Sequence, residues 1–351
     1  MYRANPWKAK DLPADLATLP QVADDAGPVL ALLSRCPAYR PTPLLPIPSL
    51  SEAIGGASLW VKDETARMGL GSFKALGAAY AIARDAVAVA GGGDLASALV
   101  GRTYVTASAG NHGMSVAAGA RVFGANAVIF ISETVSGAIA ERLRGKGARV
   151  IRQGHDYEAS MAAAAEAADV NGWILLSDST WPGYTTPALD VMAGYLALAE
   201  EIVGEMATPP THVFLQAGVG GFAAAMLARF RSAWGRDGFE AIVVEPAFAP
   251  CIMESLLAGR AVRADGPVSA MGRLDCKEPS HVALATIARL ADGCLTVTEE
   301  EAAEAASMLA TVEIATTPSG AAGFAGAIGC QSAVGALGPK ARVLVVVTEG
   351  T

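Results

Sequence analysis

One lysine stands among small and apolar residues in "GLGSFKALGAAYA", Gly69 to Ala81. The neighbours of Lys74 are Ser72, Phe73, Ala75, Leu76 and Gly77. Either its ammonium reaches water on the long side-chain stem, or the amine is set there for chemistry. Burial among Phe73, Leu76 and glycines disfavours the ammonium and predicts a free amine able to act as a nucleophile. A second stretch, "VTASAGNHGMSVA", reads as a strand entering a helix through Ser108, Ala109, Gly110, Asn111, His112 and Gly113. Small residues let backbone N–H groups approach a ligand, and the helix N-terminus adds partial positive charge. A carboxylate cradle is expected there, with the Asn111 amide free to bond a ring oxygen; an ordinary tight turn is the alternative. In "FLQAGVGGFAAAM", the amides of Gly218, Gly220 and Gly221 can ring a phosphate. In "VLVVVTEGT", the Thr348 hydroxyl at a strand end can bond a heterocyclic nitrogen, although the run also reads as a plain terminal strand.

These parts suit one cofactor together. Pyridoxal phosphate (PLP) needs an amine for its imine, a phosphate cup and polar partners for its ring. The glycine run also fits G-x-G-x-x-A, and Glu245 ends the next strand in "AIVVEP", so an NAD-dependent oxidoreductase is a rival of a different class. NAD leaves Lys74 and "SAGNHG" without work. A non-catalytic amino-acid-binding protein is a third class, and Lys74 argues against it.

The elements that must position these residues alternate. "SLWVKDE", "TYVTAS", "AVIFIS", "RVIRQG", "WILLSD", "HVFLQAG", "EAIVVEP" and "RVLVVVTEG" read as strands, several without the two-residue alternation of a half-exposed sheet. Alanine-rich runs such as "YEASMAAAAEAADVNG" and "FAAAMLARFRSAWG" read as helices closed by glycine. Alternation of this kind implies an α/β fold with parallel sheets and right-handed crossovers. Ligands then bind where strands end and helices begin, which is where all the stretches above lie. "AVAGGGDLASALVGR" and "PVSAMGRLDCKEPS" read as loops, the second richer in charge and near a site.

Composition narrows the classes further. The chain has 351 residues, 52% hydrophobic and 17% charged, ample for a buried core. Mean hydropathy is +0.37, raised mostly by alanine. No run of about 18 residues is apolar without a polar break, so no membrane span is expected. The N-terminus lacks an apolar signal core, which makes the cytoplasm the expected location. Net charge is −8 with no basic stripe, which argues against nucleic acid. Five scattered cysteines and four scattered histidines give neither a disulfide framework nor metal-ligand spacing, so no metal is expected.

"KDETARMGLGSFKALGAAYA", "ASAGNHG", "LSDSTWPGYTTPALDVMAGY", "QAGVGG", "VVEP", "MGRLDCKEPS" and "VVVTEG" together resemble the fold-type II PLP enzymes, from about Lys62 to Thr351. "SFK" with "GNHG" marks the superfamily. "KDE-x-x-R-x-GL-x-SFK-x-LG", "D-x-x-W-x-GY" and "GRLDCKEPS" are similar to its diaminopropionate ammonia-lyase branch. The resemblance implies two three-layer α/β/α domains with mostly parallel sheets and the site between them. Residues 1–77 and 189–351 would form the large PLP-binding domain and 78–188 the small one. It also implies a small amino-acid substrate and a homodimer. Lys74 would hold the cofactor as an imine and shuttle protons, with Phe73 beside it. Asn111 would bond the phenolic oxygen, Gly218, Val219, Gly220 and Gly221 the phosphate, and Thr348 would face the pyridine nitrogen. Ser108, Ala109, Gly110 and His112 would surround the substrate carboxylate. Asp178 would lie near the substrate amino group and favour departure of ammonium. The implied reaction is α,β-elimination of 2,3-diaminopropionate to pyruvate and two ammonia. A serine, threonine or hydroxyaspartate dehydratase of the same fold is the alternative. Branch members that take the D-isomer carry aspartate in the slot before "GNHG"; this chain has Ala109 there, the residue that serine dehydratases have, so the L-isomer is expected.

Overall fold

The computed structural model describes residues 1–330 and 337–351. Its strands are β1 (Tyr2–Ala4), β2 (Leu44–Pro46), β3 (Ser58–Asp63), β4 (Thr103–Ala107), β5 (Asn126–Ile131), β6 (Arg149–Arg152), β7 (Ile174–Leu175), β8 (His212–Gln216), β9 (Glu240–Pro246), β10 (Gly293–Val297) and β11 (Arg342–Val347). Seven form one sheet in the order β1-β10-β9-β8-β11-β3-β2, and four form a second in the order β6-β5-β4-β7. The edge pairs β1–β10 and β2–β3 are antiparallel. The other pairs are parallel. Strands β8, β9 and β11 are buried along all but their first residue, which explains their continuous apolar runs. All eight expected strands are present. The other three, β1, β2 and β10, join the large sheet unannounced.

The helix Lys74–Ala90 packs against the helices Asn111–Val122 and Thr186–Gly194. Its approach to the second depends on two glycines. A Cβ on Gly77 would lie 2.7 Å from the Tyr195 ring, and one on Gly194 would lie 2.5 Å from the Leu76 carbonyl oxygen. Any side chain at either place would force the helices apart.

The turn that delivers Lys74 is held from below by charge. Arg67, Glu64 and Lys62 are fully buried. Arg67 donates to Glu64 at 2.7 Å and to Glu201 at 2.7 Å. Lys62 donates to the Thr42 carbonyl at 2.6 Å and pairs with Glu201 at 2.9 Å. Such a network is tolerable only because each ion is paired and hydrogen-bonded. It accounts for Lys62, Glu64 and Arg67 of the "KDETAR" run. Directly after it Met68 adopts φ +51°, an uncommon conformation for a residue with a side chain. The turn is then tied on its other side to the end of β11, where Phe73 N–H donates to the Thr348 carbonyl and Gly350 N–H to that of Gly71.

Candidate active site

Lys74 is the first residue of its helix, and its Nζ is ion-paired with Asp178. The two side chains are 23% and 16% exposed. Nζ lies 5.3 Å from the Phe73 ring centroid and 5.9 Å from that of Tyr195. Burial pushes the ammonium toward neutrality, but the Asp178 carboxylate outweighs it and holds Lys74 above the ordinary lysine value. For Asp178, burial favours the acid, yet Lys74 and His112 hold it below the usual carboxylate range. The expectation of a free amine is therefore corrected. The apolar neighbours are present, but a carboxylate 104 residues away reaches the nitrogen first and keeps its proton on.

The second junction has the expected form. Strand β4 ends at Ala107, and the helix Asn111–Val122 starts with Gly110 as its cap and no side-chain cap bond. The Ser108 hydroxyl accepts from Gly110 N–H at 3.2 Å. Ala109 is half-buried between them. His112 lies within reach of the charges of Asp178 and Lys74. It is buried, and its Nε2 lies 2.8 Å from the Leu176 carbonyl oxygen. Burial pushes its imidazole below the ordinary value, so it is a neutral ring that donates to that carbonyl. The Asn111 amide donates to Glu349, whose other oxygen accepts from Thr317 at 2.5 Å. Thr348 is buried, and its hydroxyl accepts from Gln216 Nε2 at 3.1 Å.

The glycine loop opens the helix Gly221–Trp234 with Gly220 at φ +94° and no side-chain cap. A Cβ on Gly220 would stand 2.9 Å from Ile252 Cδ1, and one on Gly218 would stand 2.9 Å from Cys276 Sγ. The carbonyl of Val219 accepts from Ser280 N–H at 2.9 Å. A Cβ on Gly221 would be 3.6 Å from the Asp178 carbonyl oxygen, which brings this loop to the Lys74–Asp178 pair. Glu245 does not face a ribose site. It is fully buried and accepts from the N–H groups of Ile252 and Met253 at 2.7 and 2.8 Å, capping the helix Cys251–Ala258. The dinucleotide reading loses its acidic residue to that cap.

Four residues enter the site without an assigned role. Arg273 Nε lies 3.4 Å from Glu349, and its Nη1 would be 2.9 Å from a Cβ on Gly110. Cys276 lies against Gly218, with its thiol pushed up to about 12 by burial. Glu349 anchors Asn111, and Tyr195 flanks Lys74. Each belongs to a quoted run, "GRLDC", "TEG" or "AGY", and that membership is the signal that marks them.

The donor set fits PLP. The 221–234 helix presents its first N–H groups uncapped beside a left-handed glycine, a setting made for a phosphate. Lys74 supplies the amine and Thr348 a hydroxyl, and the hydrogen bond from Phe73 N–H to the Thr348 carbonyl ties together the two segments that carry them. Among the described residues no group of His, Cys, Asp and Glu could hold a metal ion. No described helix is long and apolar enough to cross a membrane.

Comparison with known proteins agrees. Diaminopropionate ammonia-lyase of Escherichia coli strain K12 is 35% identical over 254 residues, 69% of this chain and 64% of that protein. Its counterpart in Salmonella typhimurium strain LT2 is 33% identical over 278 residues, 72% of this chain and 68% of that protein. The matched part thus spans just under two thirds of the E. coli relative. The crystal structure of the E. coli enzyme in complex with an aminoacrylate-PLP azomethine reaction intermediate superposes with a TM-score of 0.87 at 29% identity, covering 100% of this chain and 93% of that one. The fold is therefore that of the fold-type II PLP enzymes. Residues 36–349 match the family model described as "Pyridoxal-phosphate dependent enzyme", and the chain belongs to that family.

Proposed function

We propose that this chain is a PLP-dependent ammonia-lyase that converts 2,3-diaminopropionate and water to pyruvate and two ammonia. The observation that carries this reading is the Asp178 carboxylate held against the Lys74 amine, beside two backbone anion cradles. Bound PLP supplies an electron sink for the charge left at the α-carbon when its proton is removed. Lys74 Nζ takes that proton and returns it. The N–H groups at the start of the 111–122 helix, with Ser108 and Gly110, receive the substrate carboxylate. An amine leaves well only as ammonium, and the ionised Asp178 favours that form at the β-nitrogen. Asn111 and Thr348 orient the ring of the cofactor, and the loop of Gly218, Val219, Gly220 and Gly221 anchors its phosphate. The names of the E. coli and Salmonella relatives support the reading.

Ala109, which offers only a methyl group in the cradle, favours the dehydratase alternative as a second reading. Release of 2-oxo acid and ammonia across 2,3-diaminopropionate, serine, threonine and 3-hydroxyaspartate separates them. Two ammonia per pyruvate, with the highest kcat/KM on diaminopropionate, is the expected result. Faster turnover of a hydroxy substrate, with one ammonia per oxo acid, would replace the lyase by a dehydratase. We further propose that 78–188 acts as a small domain against 1–77 and 189–351, a division supported by the separate four-stranded sheet. The resemblance to the branch supports a homodimer, and a monomer mass in sedimentation equilibrium would refute it.

A further inference from the structure

Tyr195 has a buried hydroxyl that nothing yet described employs. The residue is 1% exposed, and its oxygen has no hydrogen-bond partner among the described residues. An unpaired buried hydroxyl costs free energy that a phenylalanine would avoid. The ring needs no hydroxyl to hold its place, since it packs edge-on against Phe73 at 4.8 Å between centroids. Its backbone N–H donates to Met192 and its carbonyl accepts from Ala199.

The surroundings bring this oxygen to Lys74. Gly77 lies one helical turn from Lys74, and the Tyr195 ring fills the space that a side chain at Gly77 would take. Gly194 lets the two helices touch at that level. Lys74 Nζ is 5.9 Å from the Tyr195 ring centroid, close enough for its charge to act on the phenol. No hydrogen bond of good geometry joins them while Asp178 holds the ammonium. Burial pushes the Tyr195 phenol well above its ordinary value, with the Lys74 charge pulling the other way, so it remains a neutral phenol.

We propose that Tyr195 is a positioning residue whose oxygen accepts an N–H from the uncharged Lys74 amine, leaving the nitrogen lone pair free for the substrate α-proton. A neutral amine has two N–H groups and one lone pair. Asp178 serves the ammonium. An uncharged Nζ has lost its ion pair with Asp178, whether PLP or a substrate α-proton awaits it; the step rests on the proposed role of Lys74 as the base, and on the lyase reading Asp178 also turns to the β-ammonium of the substrate. Tyr195 takes over at that moment. Without it the amine rotates about its stem, and the reactive geometry is populated for a smaller share of the time.

Tyr195→Phe keeps the ring and removes the oxygen, and it is tested as the full protein with PLP. The expected result is a fall in kcat of at least tenfold with KM within twofold, and a larger isotope effect with α-deuterated substrate. The Tm of the cofactor-free protein should be unchanged or higher. Attachment of PLP to Lys74, followed by borohydride fixation, should slow by a similar factor, because it needs the same held amine and no substrate. If kcat and the attachment rate both stay within twofold of wild type, the inference is overturned. A loss of both with a Tm drop of several degrees overturns it too, by making the hydroxyl structural. Serine is assayed in parallel, since removal of the α-proton is common to both reactions. Wild type acting on serine alone would refute the lyase reading and still leave Tyr195 tested.

Discussion

Replacing Asp178 by asparagine removes the charge from Lys74 while keeping the shape of its partner. Both side chains are under a quarter exposed, so the pair is only partly screened by water. Breaking a buried pair from one side costs about 3–5 kcal/mol, because the remaining ion is left uncompensated. The lysine can escape by losing its proton. From its ordinary value of 10.5 that costs about 5 kcal/mol at pH 7, at about 1.36 kcal/mol per pH unit. Burial lowers that cost, and the partial exposure favours the low end of the range, so a loss of about 3 kcal/mol is expected. The asparagine variant and wild type are compared without cofactor by urea unfolding at several pH values. The raised Lys74 contributes fully below 10.5 and loses its contribution as pH rises through its folded pKa. The depressed Asp178 contributes above 3.8 and loses its contribution as pH falls through its own. The difference should therefore be widest between these two values. In the holoenzyme, turnover of diaminopropionate should fall at least tenfold more than turnover of serine, whose leaving group gains nothing from a carboxylate. Equal stability at pH 7 would show that the pair stabilises nothing. Equal losses on the two substrates would make Asp178 structural.

Gly220→Val places a β-branched residue at φ +94° with its Cβ against Ile252, and should weaken PLP binding at least tenfold in a fluorescence titration. Unchanged affinity would remove the loop from the cofactor site. Arg67→Met leaves Glu64 and Glu201 facing each other without their shared cation and should destabilise the protein by about 3–5 kcal/mol. A thermal midpoint equal to wild type would show that the network carries no stability. L-Diaminopropionate should be consumed at least about a hundredfold faster than the D-isomer, because the methyl of Ala109 cannot take a proton from the face opposite Lys74. Comparable rates on the purified isomers would refute this and direct attention to Asp178 as a second base.

Backbone demands were legible in the sequence, and side-chain pairings were not. The loop of Gly218 to Gly221 and the cradle from Ser108 to His112 announce themselves because small residues at a strand-to-helix junction serve a local need. Strands β8, β9 and β11 were readable as uninterrupted apolar runs. By contrast β1 and β2 have three residues each, too few for any period to show. Strand β10 follows the helix His281–Leu290 after two residues and opens on Gly293, which leaves only "CLTV" as an apolar run. The charge of Lys74 is hidden from the sequence for a related reason. Its setting in the chain is apolar, and the deciding carboxylate arrives from 104 residues away. Asn111 likewise meets a partner 238 residues further on. The His112 ring reaches the carbonyl of Leu176, beyond β7, another pairing that no local pattern announces.

The two sheets differ in how far apart their strands lie along the chain, and this bears on the order in which the protein acquires its shape. The four strands β4 to β7 all fall between Thr103 and Leu175. In the large sheet, the β3–β11 pair joins Ser58 to Arg342. Closing a longer loop costs more chain entropy, and folds rich in distant pairings form slowly. The small sheet should thus protect its amides early in pulse-labelled hydrogen exchange, with β11 among the last; simultaneous protection would contradict this. The segments that carry Lys74 and Thr348 are joined across that late β3–β11 closure, by the bond from Phe73 N–H to the Thr348 carbonyl. On the proposed site, a chain that has not closed this pair lacks the complete pocket, and cofactor capture is expected only after folding has finished.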